Sequence, residues 1–71
     1  MRLWIRHPWE SSTVEFNWQE DDMRAAANEA AAAIGLEGTG WRLMRDGSEV
    51  QHLADCAEDD YLELIEIGGA V

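Results

Sequence analysis

The fold of this chain is constrained most by one segment whose apolar residues have the spacing of a helix. This segment lies between segments in which apolar and polar residues alternate. Its apolar residues recur at i, i+3, i+4 and i+7, as on one face of a helix: Met23, Ala26, Ala27, Ala30 and Ile34. Asp21 or Asp22 can cap the first turn, and Gly35 can supply the left-handed residue that ends the helix. We therefore predict a single alanine-rich helix with a thin apolar face.

The stretches on both sides of this helix alternate between apolar and polar residues, as half-buried strands do. The predicted strands are 1–6, 14–19, 41–45 and 61–67. After the third strand, the turn Asp46-Gly47 leads to Val50, and residues 53–56 form a single helical turn. The order is ββαββ, and a right-handed crossover makes the first and last strands parallel neighbours. We predict an α+β fold, with a mixed sheet of four to five strands packed on one helix.

A chain of 71 residues forms one domain at most. We assign residues 1–67 to this domain and residues 68–71 to a flexible tail, Gly68-Gly69-Ala70-Val71. Because the helix offers mainly alanine to the core, native packing density requires larger side chains on the sheet. Phe16, Trp18 and Trp41 are the side chains expected to fill that volume.

The charge balance excludes some classes of partner. Fifteen acidic and five basic residues give a formal net charge of −10, which repels nucleic-acid phosphates and anionic lipid. All five basic residues are arginines, so the sequence contains no lysine. The longest apolar run, 30–34, is too short to span a membrane, and a single cysteine, Cys56, predicts a reducing compartment. We expect a cytoplasmic protein that binds neither nucleic acid nor membrane.

The order and spacing of several short motifs resemble ubiquitin and its relatives. These motifs are Met1-x-Leu3-x-Ile5, the capped helix, Arg42-Leu43-Met44 before a glycine turn, Leu53-x-Asp55 before an acidic loop, and Leu62-x-Leu64 before Gly68-Gly69. The resemblance covers nearly the whole chain and implies the ubiquitin-like β-grasp fold. The sequence departs from ubiquitin in its very short tail, in the two residues after the glycines and in its lack of lysine.

The resemblance also implies a function, that of a protein modifier and not an enzyme. A processing peptidase would remove Ala70-Val71, and an E1-like activating enzyme would use ATP to adenylate the carboxylate of Gly69. An E2-like conjugating enzyme would then transfer the modifier to a target protein. Bacterial ubiquitin-like modifiers of this kind are encoded beside such enzymes in operons associated with phage defence. The modifier itself would need no cofactor, metal or catalytic residue.

Three apolar residues fall on the outward phase of their strands and predict a docking surface for these enzymes. They are Trp4, Met44 and Ile65, and we include the adjacent Arg42 in the predicted interface. Scattered apolar surface or a dimer contact would produce the same pattern. Trp9, at the tip of the first hairpin, could extend this surface or fold back over an edge.

The remaining reactive side chains predict no catalytic or metal site. Cys56 has no histidine or acidic partner at a recognisable motif spacing, and we interpret it as a small buried hydrophobic residue. His7 and His52 are too far apart in sequence to indicate a metal site and are expected at the surface.

Two other functions remain open alongside the modifier. The short tail resembles sulfur carriers of the ThiS and MoaD type, in which Gly69 would become a thiocarboxylate. A ubiquitin-like domain that binds partners without covalent chemistry at its C-terminus is the third alternative.

Overall fold

The computed structural model describes residues 1–67, and within them one helix packs against a five-stranded mixed sheet. In chain order the elements are β1 (Arg2–Arg6), β2 (Thr13–Asn17), α1 (Met23–Ala33), β3 (Trp41–Arg45), β4 (Ser48–Glu49), a 3₁₀ turn (Leu53–Asp55) and β5 (Asp60–Glu66). The predicted tail residues Gly68, Gly69, Ala70 and Val71 lie outside the described residues. The prediction of an α+β fold with four to five strands is confirmed, and β4 is the second strand of the short hairpin predicted at Asp46-Gly47.

The sheet has the strand order β2-β1-β5-β3-β4. Strands β1 and β5 run parallel as neighbours, with Leu3 opposite Asp60 and Ile5 opposite Leu62. Strand β2 pairs antiparallel with β1, and β3 pairs antiparallel with β5. A parallel pair requires a long crossover, which here contains α1. The predicted parallel pairing of the first and last strands is confirmed, and the arrangement is a β-grasp.

The helix begins and ends where its sequence predicts. The Asp22 side chain caps α1 by accepting hydrogen bonds from the backbone N–H groups of Arg24 and Ala25, at 3.0 and 3.1 Å. The helix ends at Ala33, and Gly35 follows with a φ of +83°, which glycine adopts without a steric penalty.

The core lies between α1 and the inner face of the sheet. The helix contributes Met23 and four alanines, and the sheet contributes Leu3, Ile5, Trp41, Leu43, Leu62 and Leu64, all at most 1% exposed. Trp41 fills the space above the small alanines, and its indole N–H donates to the Glu37 carbonyl oxygen at 2.9 Å. Phe16 and Trp18 are only partly buried and pack against this core. Of the three aromatic side chains expected to fill this volume, only Trp41 is fully buried, and the other two cover the rim of the core.

The turn after β3 has the geometry that its Asp46-Gly47 sequence predicts. Asp46 and Gly47 both have positive φ, 52° and 83°, as the tight turn of a β-hairpin requires. The His7 side chain is partly buried, at 12% exposure, whereas His52 is exposed. Within the described residues, no helix has the length and apolarity needed to cross a membrane.

Candidate functional site

The face of the sheet opposite the helix, here called the outer face, carries the candidate site. Successive side chains of a strand point to opposite faces, so the neighbours of core residues point outward. On the three inner strands these outward side chains are Arg2, Trp4 and Arg6 of β1, Tyr61, Glu63 and Ile65 of β5, and Arg42 and Met44 of β3. Each of them is half-buried or exposed.

All four residues of the predicted interface lie on this face. Arg42 lies opposite Ile65, and Met44 lies opposite Glu63 on the same pair of strands. Trp4 lies further across the sheet, opposite Tyr61. The strands therefore bring these residues onto one surface, and their role as an interface stays a prediction.

An aromatic pair occupies one end of the outer face. The rings of Trp4 and Tyr61 are stacked, with centroids 6.3 Å apart and planes at 23°. Tyr61 is 70% exposed, although it belongs to a central strand. An aromatic pair that is ordered and accessible has the properties of a binding hot spot.

Asp59 fixes the orientation of Trp4. Its carboxylate accepts a hydrogen bond from the Trp4 indole N–H at 3.1 Å and from the Arg2 guanidinium Nη2, also at 3.1 Å. The same guanidinium lies 6.0 Å from the centre of the Trp4 ring. The hydrogen bond from Arg2 is the main cause, and that from Trp4 the second, of a pKa of Asp59 below its ordinary value. Trp4 thus contacts a carboxylate, a cation and a stacked ring before any partner binds.

Two adjoining grooves cross the outer face. The larger, of about 460 Å³, lies between the first hairpin and the end of β3, and Thr13, Met44 and Tyr61 are among its walls. The smaller, of about 200 Å³, is lined by His7 and Ile65, among others. Both grooves are also lined by Arg6 and Glu63. Arg6 and Glu63, which lie opposite each other on β1 and β5, therefore separate Trp4 and Tyr61 from Ile65 on this face.

Arg6 differs from the other arginines in its surroundings. Arg2, Arg24, Arg42 and Arg45 each lie within 4.0 Å of a carboxylate, whereas Arg6 has no such partner within residues 1–67. Arg42 and Arg24 share one carboxylate, Glu49, at 3.5 and 2.9 Å. The hydrogen bond from Arg24 lowers the pKa of Glu49. Within residues 1–67, Arg6 is therefore an exposed cation of the outer face without a carboxylate partner.

Trp9 belongs to a different surface. Its side chain is 69% exposed and makes an edge contact with the ring of Trp41, the centroids being 6.0 Å apart. Trp41 is a core residue on the inner face of the sheet. Of the two possibilities left open by the sequence, the structure favours the one in which Trp9 folds back over the end of the sheet.

Cys56 is partly buried and packs against the core. Burial raises the pKa of its thiol, which disfavours the reactive thiolate form. Residues 1–67 contain no group of three or more His, Cys, Asp or Glu side chains placed to hold a metal ion.

The junction between the domain and the tail is defined by one hydrogen bond. The Ile67 N–H donates to the Gly40 carbonyl oxygen at 2.7 Å, one residue beyond the end of β5. Gly68 follows directly in the sequence. The predicted conjugation residues therefore begin immediately after a residue that is still bound to the sheet.

Sequence reasoning missed Tyr61, Arg6 and Asp59. The alternation of β5 places Tyr61 in phase with Ile65, so that residue could have been found. The place of Arg6 opposite Glu63 and the hydrogen bonds of Asp59 with Arg2 and Trp4 join residues far apart along the chain, for which the sequence carries no local signal.

The fold and the exposed surface define a small α+β protein of β-grasp architecture with an open sheet face. No protein-family model matches the chain, and no curated protein matches it significantly.

Proposed function

We propose that this protein is a ubiquitin-like modifier that is joined to other proteins through Gly69. The observation that carries the proposal is the Gly68-Gly69 pair, separated by one residue from the last strand of a β-grasp domain. Glycine has no Cβ and adopts conformations closed to other residues. Two consecutive glycines can therefore enter a narrow channel that leads to an enzyme's active site.

The chemistry would take place at the carboxylate of Gly69, after a peptidase has removed Ala70-Val71. That carboxylate attacks the α-phosphate of ATP on an E1-like enzyme, forming an acyl adenylate and releasing pyrophosphate. An enzyme thiol then displaces AMP to form a thioester, which passes to an E2-like enzyme and then to an amine or hydroxyl of the target. The modifier is the acyl donor, and its partners supply the catalysis.

The outer face offers these enzymes a docking surface. Trp4 and Tyr61 form an ordered aromatic pair, Met44 and Ile65 line the two grooves, and Arg42 lies beside Ile65. Aromatic residues and arginine supply much of the binding energy at protein interfaces. The formal charge of −10 favours basic surfaces on the partners.

A second candidate, a sulfur carrier, is favoured by the short distance between the sheet and Gly69. Ile67 is still hydrogen-bonded to Gly40, and only Gly68 lies between Ile67 and Gly69. In such a carrier the Gly69 carboxylate would become a thiocarboxylate.

For the modifier, the resemblance to bacterial ubiquitin-like modifiers suggests that it acts in an antiphage pathway.

Intact-mass measurement after co-expression with the neighbouring genes separates these functions. A modifier should lose Ala70-Val71 and then appear in adducts with other proteins. A carrier should lose the same residues and gain the mass difference between sulfur and oxygen. An unchanged mass would contradict both and favour a domain that binds without covalent chemistry.

A further inference from the structure

Gly40 and Ile67 approach each other more closely than any other residue type at position 40 would permit. Besides the 2.7 Å hydrogen bond from the Ile67 N–H to the Gly40 carbonyl oxygen, the Ile67 carbonyl oxygen lies against the Gly40 Cα. A Cβ atom built on Gly40 would be 2.5 Å from that oxygen and 3.6 Å from the carbonyl carbon. The first of these distances is a severe clash with backbone.

The backbone conformation of Gly40 does not itself require glycine. The glycines with positive φ in the described chain are Gly35, Gly38 and Gly47, and Gly40 is not among them. Alanine at position 40 would therefore not have to adopt a left-handed φ. The obstacle to a side chain there is the Ile67 carbonyl group.

The Gly40 side of this contact is the more firmly held. The next residue, Trp41, is only 1% exposed. The backbone N–H of Trp41 donates to the Asn28 side chain at 3.3 Å, and the Trp41 indole N–H donates to the Glu37 carbonyl oxygen. Ile67 lies beyond the end of β5 and is 44% exposed. A clash between the two would therefore displace Ile67 and not the core.

We infer that Gly40 is a positioning residue, which sets the direction in which the chain leaves the sheet at Ile67 and thereby presents Gly69 to the activating enzyme. This inference rests on the proposed function. Gly69 is two residues from Ile67, a span of about 7 Å in an extended chain. The orientation of the Ile67 carbonyl is thus the last constraint that the described domain places on the reacting carboxylate.

The size of the effect follows from the contact distance. Moving the Ile67 oxygen from 2.5 Å to an ordinary contact of 3.4 Å requires a shift of about 0.9 Å. A misplacement of about 1 Å can cost up to about a hundredfold in rate, and movement of the tail within the enzyme recovers part of that loss. For Gly40→Ala we expect kcat for thioester formation to fall about tenfold, with KM nearly unchanged because the outer face is intact.

The first experiment needs no partner. Amide hydrogen exchange followed by NMR should show faster exchange at Ile67 in Gly40→Ala, while the core amides of Leu62 and Leu64 keep their wild-type protection. Gly35→Ala is the matched control, because it places the same side chain at a positive φ with no atom within 4 Å. It should lower Tm without changing exchange at Ile67. Unchanged exchange at Ile67 in folded Gly40→Ala would overturn the structural part of the inference.

The second experiment measures charging by the E1-like enzyme that accepts the wild-type protein. Ile67→Pro removes the N–H that binds Gly40 and should reduce kcat as Gly40→Ala does, whereas Ile67→Val keeps the N–H and should not. Equal kcat in all variants would refute the positioning role while leaving the modifier function intact. If no such enzyme charges the wild-type protein, the proposed function fails, and hydrogen exchange still tests the contact.

Discussion

Replacing Met44 with aspartate should leave the domain folded but weaken its binding to the activating enzyme. Met44 is half-buried on the outer face and lies opposite Glu63 of β5 and Glu49 of β4. Each like-charge pair across two strands costs about 0.2–1 kcal/mol, and the lost apolar burial adds about 1 kcal/mol. The free energy of unfolding should therefore fall by about 1.4–3 kcal/mol, which lowers Tm by roughly 6–24 °C in a domain of this size.

Leu43→Asp provides the contrast, one residue away on the same strand. Leu43 is 1% exposed, so an aspartate there would be a buried charge without a partner. Its cost of several kcal/mol is comparable to the whole stability of a domain this small. This variant should be unfolded at room temperature, whereas Met44→Asp should not.

Thermal unfolding and calorimetric titration with the E1-like enzyme measure the two effects separately. We expect Kd for Met44→Asp to rise about thirtyfold, the equivalent of about 2 kcal/mol for a central interface residue. Met44→Gln serves as the matched control, since it keeps the chain length without adding a charge opposite Glu63. If Met44→Asp unfolds like Leu43→Asp, the assigned strand phase is wrong. If it binds with unchanged Kd, the outer face is not the docking surface.

Three further predictions concern the tail, self-linkage and pH. Gly69→Trp should keep the wild-type Tm yet form no thioester with the E1-like enzyme, and full charging of this variant would contradict the proposed chemistry. Modifier-to-modifier chains should be rare in conjugates analysed by mass spectrometry, because the sequence has no lysine and the Met1 nitrogen donates to the Trp18 carbonyl oxygen at 2.9 Å. A hydrogen bond to Asp21 raises the pKa of His52 above its ordinary value of 6.5. The pair of Asp21 and His52 therefore stabilises the fold fully below pH 6.5, and this contribution is lost as the pH rises through the raised pKa. Wild-type Tm should therefore decline more than that of His52→Gln between about pH 5.5 and about pH 8.5, and identical profiles would show that the pair contributes nothing.

Much of the fold could be predicted because its signals are local. The cap at Asp22, the left-handed Gly35 and the alternation of each strand depend on residues only a few positions apart. The same alternation correctly placed Met44 and Ile65 on the outward phase. Local patterns of this kind determine which face a side chain occupies.

The organisation of the candidate site could not be predicted, because it depends on which strands are neighbours and in what register. Arg6 interrupts the apolar surface only because β1 pairs with β5 and places it opposite Glu63. Asp59 orients Trp4 from 55 residues away in sequence. The contact between Gly40 and Ile67 likewise joins a loop to the end of the last strand. The sequence around a loop glycine does not show whether the glycine makes such a contact or forms an ordinary turn.

Peptide mass spectrometry of conjugates formed in cells tests the central claim most directly. Digestion should yield branched peptides in which the Gly69 carbonyl is joined to a side chain of another protein, and hydroxylamine treatment should distinguish oxyesters, which it cleaves, from amides. The account predicts such a branched peptide, with Ala70-Val71 absent from it. An active system that yields no covalent adduct of Gly69 would contradict the account.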